Sequence, residues 1–582
     1  MAGQPSEHRV TLPDSTPLFY RAWLPARVPR GWLVLLHRGH EHSGRFGDVV
    51  EALGLRDVAV FAWDARGHGQ SPGPRGYAPG FGAVVRDLDG FVRHLAHVHG
   101  LPPRDTVVLG HSIGAVIAAA WVHDYAPRIR ALVLVTPAFR VKLYVPLAVP
   151  GLRLRRALRK GRPAFVQSYV RGRLLTHDPH QARAYDRDPL IARAVAVDVL
   201  LGLHDTAARL VADATAIRIP TLLLAAGRDW VVARRPQARF FRRLGSPVKE
   251  MVVFPGLHHD LLHEAHREPV LERIRRFARA AWQEDGGLPP LLDADRAGYT
   301  REEHDRLSRP LRSPRALPFA VLGAALRSLG RLSDGIQLGW RSGFDSGRSL
   351  DYVYQDRAAG RLLIGRWVDR LYLDSPGWRG VRVRRAHLQA LLAETVDRLF
   401  EAGRRPVRVV DLAAGGGRYV LEVAAARPGR VAVHLRDLEA ANVEAARART
   451  RRLGLRDVTV EQADALDEAS VAGLTPAPDV AVVSGLYELF ADNGPVRRSL
   501  QGLAKALGGG GYLLYTGQPW HPQLEMIARV LRNREGRPWV MRRRTQEELD
   551  DLVRAAGFEK VETRIDDGGL FTVSLARIGD PR

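Results

Sequence analysis

Short runs of β-branched and aliphatic residues, separated by segments of helical length, recur in two blocks along this chain of 582 residues. In the first block the runs are Trp32–Leu36, Val58–Trp63, Thr106–Leu109, Ala131–Val135, Thr221–Ala225 and Lys249–Phe254. Continuous apolar strands alternating with helical patterns predict a mostly parallel sheet covered on both faces. One long insertion, about 137–213, interrupts the alternation between the fourth and fifth of these strands and is itself mainly helical in pattern. From about Val381 the alternation resumes, with strands at Val407–Val410, Val431–Leu435, Val458–Glu461, Asp479–Ser484 and Tyr512–Thr516. Between the blocks, residues 284–315 are rich in Gly, Pro, Asp and Arg and read as a linker, and Leu317–Leu332 reads as an amphipathic or packing helix. The expected organisation is an α/β domain over 1–285, a linker and helical connecting segment over 286–380, and a second α/β domain over 381–582. The halves share a layer type but no internal repeat.

Composition narrows this picture. A hydrophobic content of 46% supplies two sizeable cores. No apolar run reaches the ~18 residues of a membrane span, and the first residues lack the basic flank and apolar core of a secretory signal. With no cysteine there is no disulfide framework, thiolate metal site or Cys nucleophile. The expected location is therefore cytoplasmic. The net charge of +24 comes almost entirely from arginine, and a general arginine excess on the surface accounts for part of it. Its distribution is more telling. Between Asp124 and Asp178 there is no acidic residue but twelve basic ones, among them Arg153, Arg155, Arg156, Arg159, Lys160 and Arg162, interleaved with Leu152, Leu154, Phe165 and Tyr169. Such a segment suits peripheral contact with an anionic membrane surface. No nucleic-acid-binding motif accompanies it, so nucleic acid is not an expected partner.

Candidate chemistry is densest at Gly110-His111-Ser112-Ile113-Gly114, which follows an apolar strand and leads into an Ala-rich helix. That is the strand, sharp turn and helix of a nucleophile elbow, in which small neighbours let the chain lift a serine hydroxyl above the sheet. The partners should follow in the order acid, then histidine. Asp229 lies in the turn after Thr221–Ala225, and His258-His259 follow Lys249–Phe254, so one of these histidines is the expected general base. The elbow, the turn Gly227–Val232 and the turn Pro255–Leu261 together resemble the monoglyceride-lipase and lysophospholipase-like branch of the α/β-hydrolases, classed with the S33 serine aminopeptidases. That resemblance implies an α/β-hydrolase fold with a helical cap over the strand ends, and selects His259 over His258. It also implies an oxyanion hole from the backbone N–H groups of Ile113 and Gly39, with Arg38 standing where the family usually has Gly. This departure alters the loop or puts a cation near the substrate head. The Asp64–Ser71 loop, similar to the family's D-x-R-G-x-G-x-S, is read as structural. The histidines His37, His40 and His42 lack a carboxylate or thiolate cluster in sequence, so no metal is expected.

The second block carries Asp411-Leu412-Ala413-Ala414-Gly415-Gly416-Gly417 directly after a strand. A Gly-rich βα turn lets backbone approach a nucleotide-like ligand. Asp437 ends the second strand, suited to ribose hydroxyls, and Asp464 follows the third, where an adenine contact is usual. This order resembles a class I S-adenosylmethionine methyltransferase of Rossmann-like fold, with Ala413 replacing the first Gly of the signature. The resemblance implies S-adenosylmethionine as cofactor, held by Asp411, Ala413, Gly415, Gly417, Asp437 and Asp464. A dinucleotide site and a non-binding relic of the fold are the alternatives. Tyr487, Glu488, Trp520 and His521 read as packing or pocket lining.

Phrases such as Leu174–Asp178, Gly343–Gly347 and Leu350–Tyr354 extend the resemblance over nearly the whole chain, to a bacterial fusion of α/β-hydrolase and class I methyltransferase. The implied function is bifunctional: a Ser-Asp-His hydrolase of a lipid ester, a lysophospholipid or monoacylglycerol, joined to a methyltransferase with a lipid-related acceptor. The alternative is a hydrolase of soluble esters or peptides with a ligand-binding or regulatory C-terminal half.

Overall fold

The structure, a computed structural model, describes residues 4–159, 161–284 and 287–579; Lys160 of the basic segment, and Asp285 and Gly286 of the expected linker, lie outside them. Two compact units divide at Pro289/Pro290.

In the first unit the strands are β1 (Ser6–Thr11), β2 (Pro17–Trp23), β3 (Gly31–Leu36), β4 (Val58–Asp64), β5 (Thr106–His111), β6 (Ala131–Val135), β9 (Thr221–Ala226) and β10 (Lys249–Phe254), with a short antiparallel pair, β7 (Phe165–Gln167) and β8 (Ala194–Ala196), in the insertion. The main sheet runs β1-β2-β4-β3-β5-β6-β9-β10, antiparallel at β1, β2 and β4 and parallel from β4 onward. The N-terminal pair was absent from the expected set. Its first strand mixes polar and apolar residues and is mostly exposed, so it carries no apolar run. The helices Gly47–Leu53 and Glu268–Gln283 cover one face, burying Val49, Leu53, Val270 and Ile274 against the parallel strands. The helix Ile113–Tyr125 is buried along nearly its whole length, which explains its Ala-rich, all-round apolar sequence. Between β6 and β9 the insertion forms a cap of helices Ala148–Leu158, Pro179–Arg187 and Val197–Ala212. No residue of the first of these is buried. Leu154 and Leu158 are exposed beside its arginines.

The second unit contains β11 (Val407–Leu412), β12 (Val431–Asp437), β13 (Val458–Gln462), β14 (Val480–Val483), β15 (Tyr512–Gly517), β16 (Phe558–Ile565) and β17 (Thr572–Ile578). Their order is β13-β12-β11-β14-β15-β17-β16, parallel except for the closing pair. Strand order reverses between β11 and β14. In open α/β sheets that reversal opens a crevice at the carboxyl ends, where ligands bind.

The division of the chain needs a correction. Residues 290–380 are not a connector outside the second domain but part of its compact unit. They fold into helices Tyr299–Ser308, Leu317–Ser328, Asp334–Ser342, Gly347–Gln355 and Leu362–Leu373, and the helix Pro376–Glu401 runs straight through the expected boundary at 381. Ile336, Phe344, Val353 and Trp378 form a core with Leu570 and Phe571, which lead into β17. Among the described residues no helix is long and apolar enough to cross a membrane.

Candidate functional sites

Ser112 sits between β5 and the helix it precedes, with φ of 55° and ψ of −109°. A non-glycine residue rarely holds this backbone, and strain of this kind concentrates at functional sites. The two flanking glycines make it possible. A Cβ at Gly110 would lie 2.5 Å from the Gly114 carbonyl oxygen, and one at Gly114 would lie 2.5 Å from that of Leu36. The turn is thus folded back on itself and pressed against the end of β3.

Turns after β9 and β10 bring two more residues to this serine. His259 Nε2 lies 2.9 Å from Ser112 Oγ, and His259 Nδ1 lies 2.8 Å from Asp229 Oδ2. The other Asp229 oxygen accepts from the amides of Val231 and Val232, both at 2.8 Å, which fixes the carboxylate plane. Burial pushes the Asp229 carboxyl up, but His259 and those amides outweigh it and leave it below its ordinary value. The Thr136 hydroxyl donates to the His259 carbonyl at 3.0 Å, tying the histidine turn to the end of β6. His258 points elsewhere. Its ring packs against that of His177 with centroids 3.7 Å apart and planes tilted by 32°, and its amide donates to Glu264.

Gly39 and Ile113 line the same cavity as Ser112 and His259. Ile113 opens its helix, so its N–H has no intrahelical acceptor, and among the described residues neither amide has a backbone or side-chain partner. The cavity measures about 110 Å³ and is walled by apolar cap residues including Leu143, Val170, Val199 and Leu203. Arg38 does not present a free cation to it. Its guanidinium is buried, 2.9 Å from Glu41 and 3.5 Å from Asp260, and rests over the Tyr185 ring at 4.5 Å. The departure from Gly is absorbed by a buried ionic cluster behind the site. The Asp64–Ser71 loop is likewise engaged in backbone support: Asp64 accepts from the amides of Ser43 and Gln70, and Ser71 donates to the Asp64 carbonyl.

The same cluster contains His263, 2.9 Å from Asp260. Burial pushes this imidazole down, but Asp260, Asp48 and Glu41 outweigh it and raise it to about 10. With the folded pKa above the ordinary 6.5, the stabilisation is full below pH 6.5 and is lost as pH rises toward 10. Wild type is therefore expected to exceed His263→Gln in thermal stability by a few kcal/mol at pH 6, and the gap to narrow steadily by pH 10. Melting temperatures of both proteins across that range check this; a constant gap would contradict it. A separate group at the cap's edge, His177, His258 and Glu264, brings three ligand-type atoms within 4.8 Å of one another and could hold a metal ion. Sequence reading missed it because Leu174–Asp178 lies far from the β10 turn along the chain.

In the second unit Asp411 is fully buried at the end of β11. One oxygen accepts from the Tyr419 hydroxyl at 3.0 Å, and the other has no partner. Burial raises its carboxyl well above the ordinary value, and Asp437 adds to the rise. Ala413, Gly415 and Gly417 all have positive φ, at 58°, 56° and 65°. Ala413 thus adopts the conformation that the missing glycine would favour. A Cβ at Gly415 would meet open space, so the turn leaves room above it. Asp437 accepts from the Gly415 amide at 2.8 Å with one oxygen and from the Glu439 amide and the Asn442 side chain with the other. Asp464 is exposed after β13 and accepts from the Leu466 amide. Arg449, which sequence reading did not single out, donates to the Gly416 carbonyl and pairs with Asp351, as does Arg418. Asp351, within residues 290–380, therefore helps brace the Gly-rich turn.

Comparison with known proteins agrees with both halves. Residues 27–266 match the family model described as "Serine aminopeptidase, S33", and residues 274–578 that described as "Putative methyltransferase". The "Uncharacterized protein YnbC" of Escherichia coli (strain K12) is 48% identical over 579 residues, covering 98% of each chain. The "Monoacylglycerol lipase" of Mycolicibacterium smegmatis is 29% identical over 273 residues, covering 46% of this chain and 95% of that one. Among solved structures, the Paleococcus ferrophilus monoacylglycerol lipase is 24% identical with a TM-score of 0.41, covering 45% of this chain and 99% of that one. The chain belongs to the methyltransferase family matched over 274–578 and to the full-length family of YnbC, with an S33 hydrolase/lipase-like domain fused ahead of a class I methyltransferase-like domain.

Proposed function

We propose that the first unit hydrolyses a single-chain lipid ester, a monoacylglycerol or lysophospholipid, with Ser112 as nucleophile, His259 as general base and Asp229 as its orienting acid. The observation that carries this reading is the continuous chain Ser112–His259–Asp229, with links of 2.9 and 2.8 Å, at an apolar cavity. His259 takes the hydroxyl proton as Ser112 Oγ attacks the ester carbonyl. The amides of Gly39 and Ile113 stabilise the oxygen that gains charge. Leaving alcohol takes the proton from His259, and water then releases the acyl group by the same route. The apolar cap walls favour an acyl chain over a peptide. The exposed leucines and arginines of helix Ala148–Leu158 support peripheral contact with an anionic membrane surface. Hydrolysis should rise with acyl length across a panel of monoacylglycerols and lysophospholipids, exceeding short soluble esters at least about tenfold in kcat/KM, as burial of a few methylenes in the transition state requires. Activity confined to short esters or peptides would remove the lipid assignment.

We further propose that the second unit binds S-adenosylmethionine at the crevice between β11 and β14. The residues fit it: a buried unpartnered carboxylate oxygen at Asp411, open space over Gly415, and Asp437 and Asp464 at the ends of the next two strands. An Asp carboxylate offers about four lone-pair sites, so Asp437 retains acceptor capacity for ribose hydroxyls beside its internal bonds. The donor supplies an electrophilic methyl group on sulfur.

A further inference from the structure

A cavity in the second unit measures about 480 Å³. It lies against the carboxyl ends of β14 and β15, where Gly485, Glu488, Gln518 and His521 follow the strands. That position is on the far side of the strand-order reversal from β12 and β13, whose ends carry Asp437 and Asp464. With the donor's nucleoside proposed beside β12 and β13, this flank of the crevice is left for a methyl acceptor. Its volume falls within the ~300–1,000 Å³ of pockets that bury a drug-sized ligand, far more than a small polar acceptor fills.

The lining is strongly divided. The helices of residues 317–381 give the body of the cavity, with Leu326, Ile336, Phe344, Val368 and Trp378 among its walls. Polar groups gather at the sheet end. Arg384 is buried beside Gly485, 4.0 Å from Glu488 and over the Phe571 ring. One Glu488 oxygen is buried without a partner, and the other lies 3.4 Å from the Thr516 hydroxyl. Burial pushes the Glu488 carboxyl up, only partly offset by Arg384, and pushes His521 down to about 4. At the outer end the mouth residues Leu322, Leu329, Trp367 and Leu371 are exposed, and Leu362, Leu363 and Ile364 extend the apolar surface beside them. An apolar patch of this kind around an opening marks a site that meets lipid or another apolar surface.

We propose that this cavity holds the alkyl chain of a long-chain amphiphilic methyl acceptor, whose O–H or N–H head group lies at Arg384, Glu488 and His521, with Glu488 accepting its proton. This rests on the reading of the second unit as a methyltransferase. The head-group oxygen or nitrogen forms its new bond to the methyl carbon, the electrons of the broken carbon–sulfur bond stay on the donor's sulfur, and the head-group proton passes to the unpartnered Glu488 oxygen. The exposed apolar mouth lets the chain enter from a lipid surface without crossing water.

The test uses the full chain and separates ligand class from donor binding. Long-chain alcohols and amines of eight to fourteen carbons are titrated while the fluorescence of Trp367 and Trp378 is followed against the other tryptophans by substitution to Phe. S-adenosylmethionine is titrated independently by calorimetry. Affinity is expected to tighten about tenfold for each two carbons until the cavity is filled. Ala325→Phe, which adds bulk to a lining residue, should weaken chain binding at least tenfold and leave donor affinity unchanged. Glu488→Gln should leave donor affinity and the chain-length dependence of acceptor binding unchanged, yet transfer methyl from labelled donor to a lipid extract at least 100-fold more slowly. Binding that ignores chain length, or that Ala325→Phe does not weaken, would overturn the assignment of the cavity. Unchanged transfer in Glu488→Gln would overturn the role of that carboxylate. Chain binding without any donor binding in wild type would instead overturn the methyltransferase reading, and with it the acceptor role.

Discussion

Replacing Ser112 by Ala is expected to lower the turnover of long-chain monoacylglycerol by about 10⁴–10⁶-fold while leaving the melting temperature within a few degrees of wild type. The size of the effect follows from the covalent route: without Oγ there is no acyl intermediate, and only the amides of Gly39 and Ile113 and substrate positioning remain to assist hydrolysis. The small effect on stability follows from the geometry. The hydroxyl's hydrogen bond is to His259, and alanine can occupy the same φ of 55° at no greater steric cost than serine. Initial rates on a long-chain substrate, paired with a thermal melt, check both halves of the expectation. A loss of activity accompanied by unfolding would not count toward the nucleophile; near-normal turnover in a folded variant would remove it.

Asp229→Asn should cost about 10⁴-fold in kcat with little change in KM. The reason lies in the two amides that grip this carboxylate. Val231 and Val232 both donate to Oδ1, so an asparagine keeps its carbonyl oxygen there and must turn its NH₂ toward His259 Nδ1. A donor facing Nδ1 forces the ring proton onto Nε2, the atom that must accept from Ser112. The histidine then has no lone pair for the serine proton. Asp229→Ala lacks this misdirecting donor, so it should be impaired by the lost orientation and charge but free to sample the correct tautomer. Single-turnover kinetics of the two variants, with the Nδ1 and Nε2 protonation followed by NMR, distinguish tautomer control from simple charge loss. Equal KM values with intact fold are part of the expectation.

The parallel strands of both sheets were legible because strands buried on two faces must be continuously apolar, as Ala131–Val135 and Val480–Val483 are. The antiparallel entry strand Ser6–Thr11 was not, since an edge strand with one solvated face carries polar residues. That Ser112, Asp229 and His259 would converge was legible for a different reason: each stands after a strand, in a turn whose glycines record close backbone approach. The fate of Arg38 was not, because its partners Glu41, Asp260 and Tyr185 converge only in three dimensions. Residues 290–380 were the largest misreading. Residues 284–315 have the Gly, Pro, Asp and Arg content of a linker, yet beyond them Trp340, Phe344, Tyr352, Trp367, Tyr372 and Trp378 give the segment an aromatic density that an exposed connector has no use for. That density was the available signal. What it lines, and that Glu488 lies 4.0 Å from Arg384 there, depends on the helix Pro376–Glu401 packing against the sheet, which no local pattern records.

Ser112 is proposed to be a nucleophile activated by His259 within an acyl-binding cavity. The most direct test is peptide mass mapping after brief exposure to a long-chain alkyl fluorophosphonate, which reacts only with an activated serine. One stoichiometric adduct on Ser112 is expected, formed faster with a long alkyl chain than with a short one and lost in His259→Ala. An adduct on another serine, or equal labelling of Ser112 with and without His259, would contradict it.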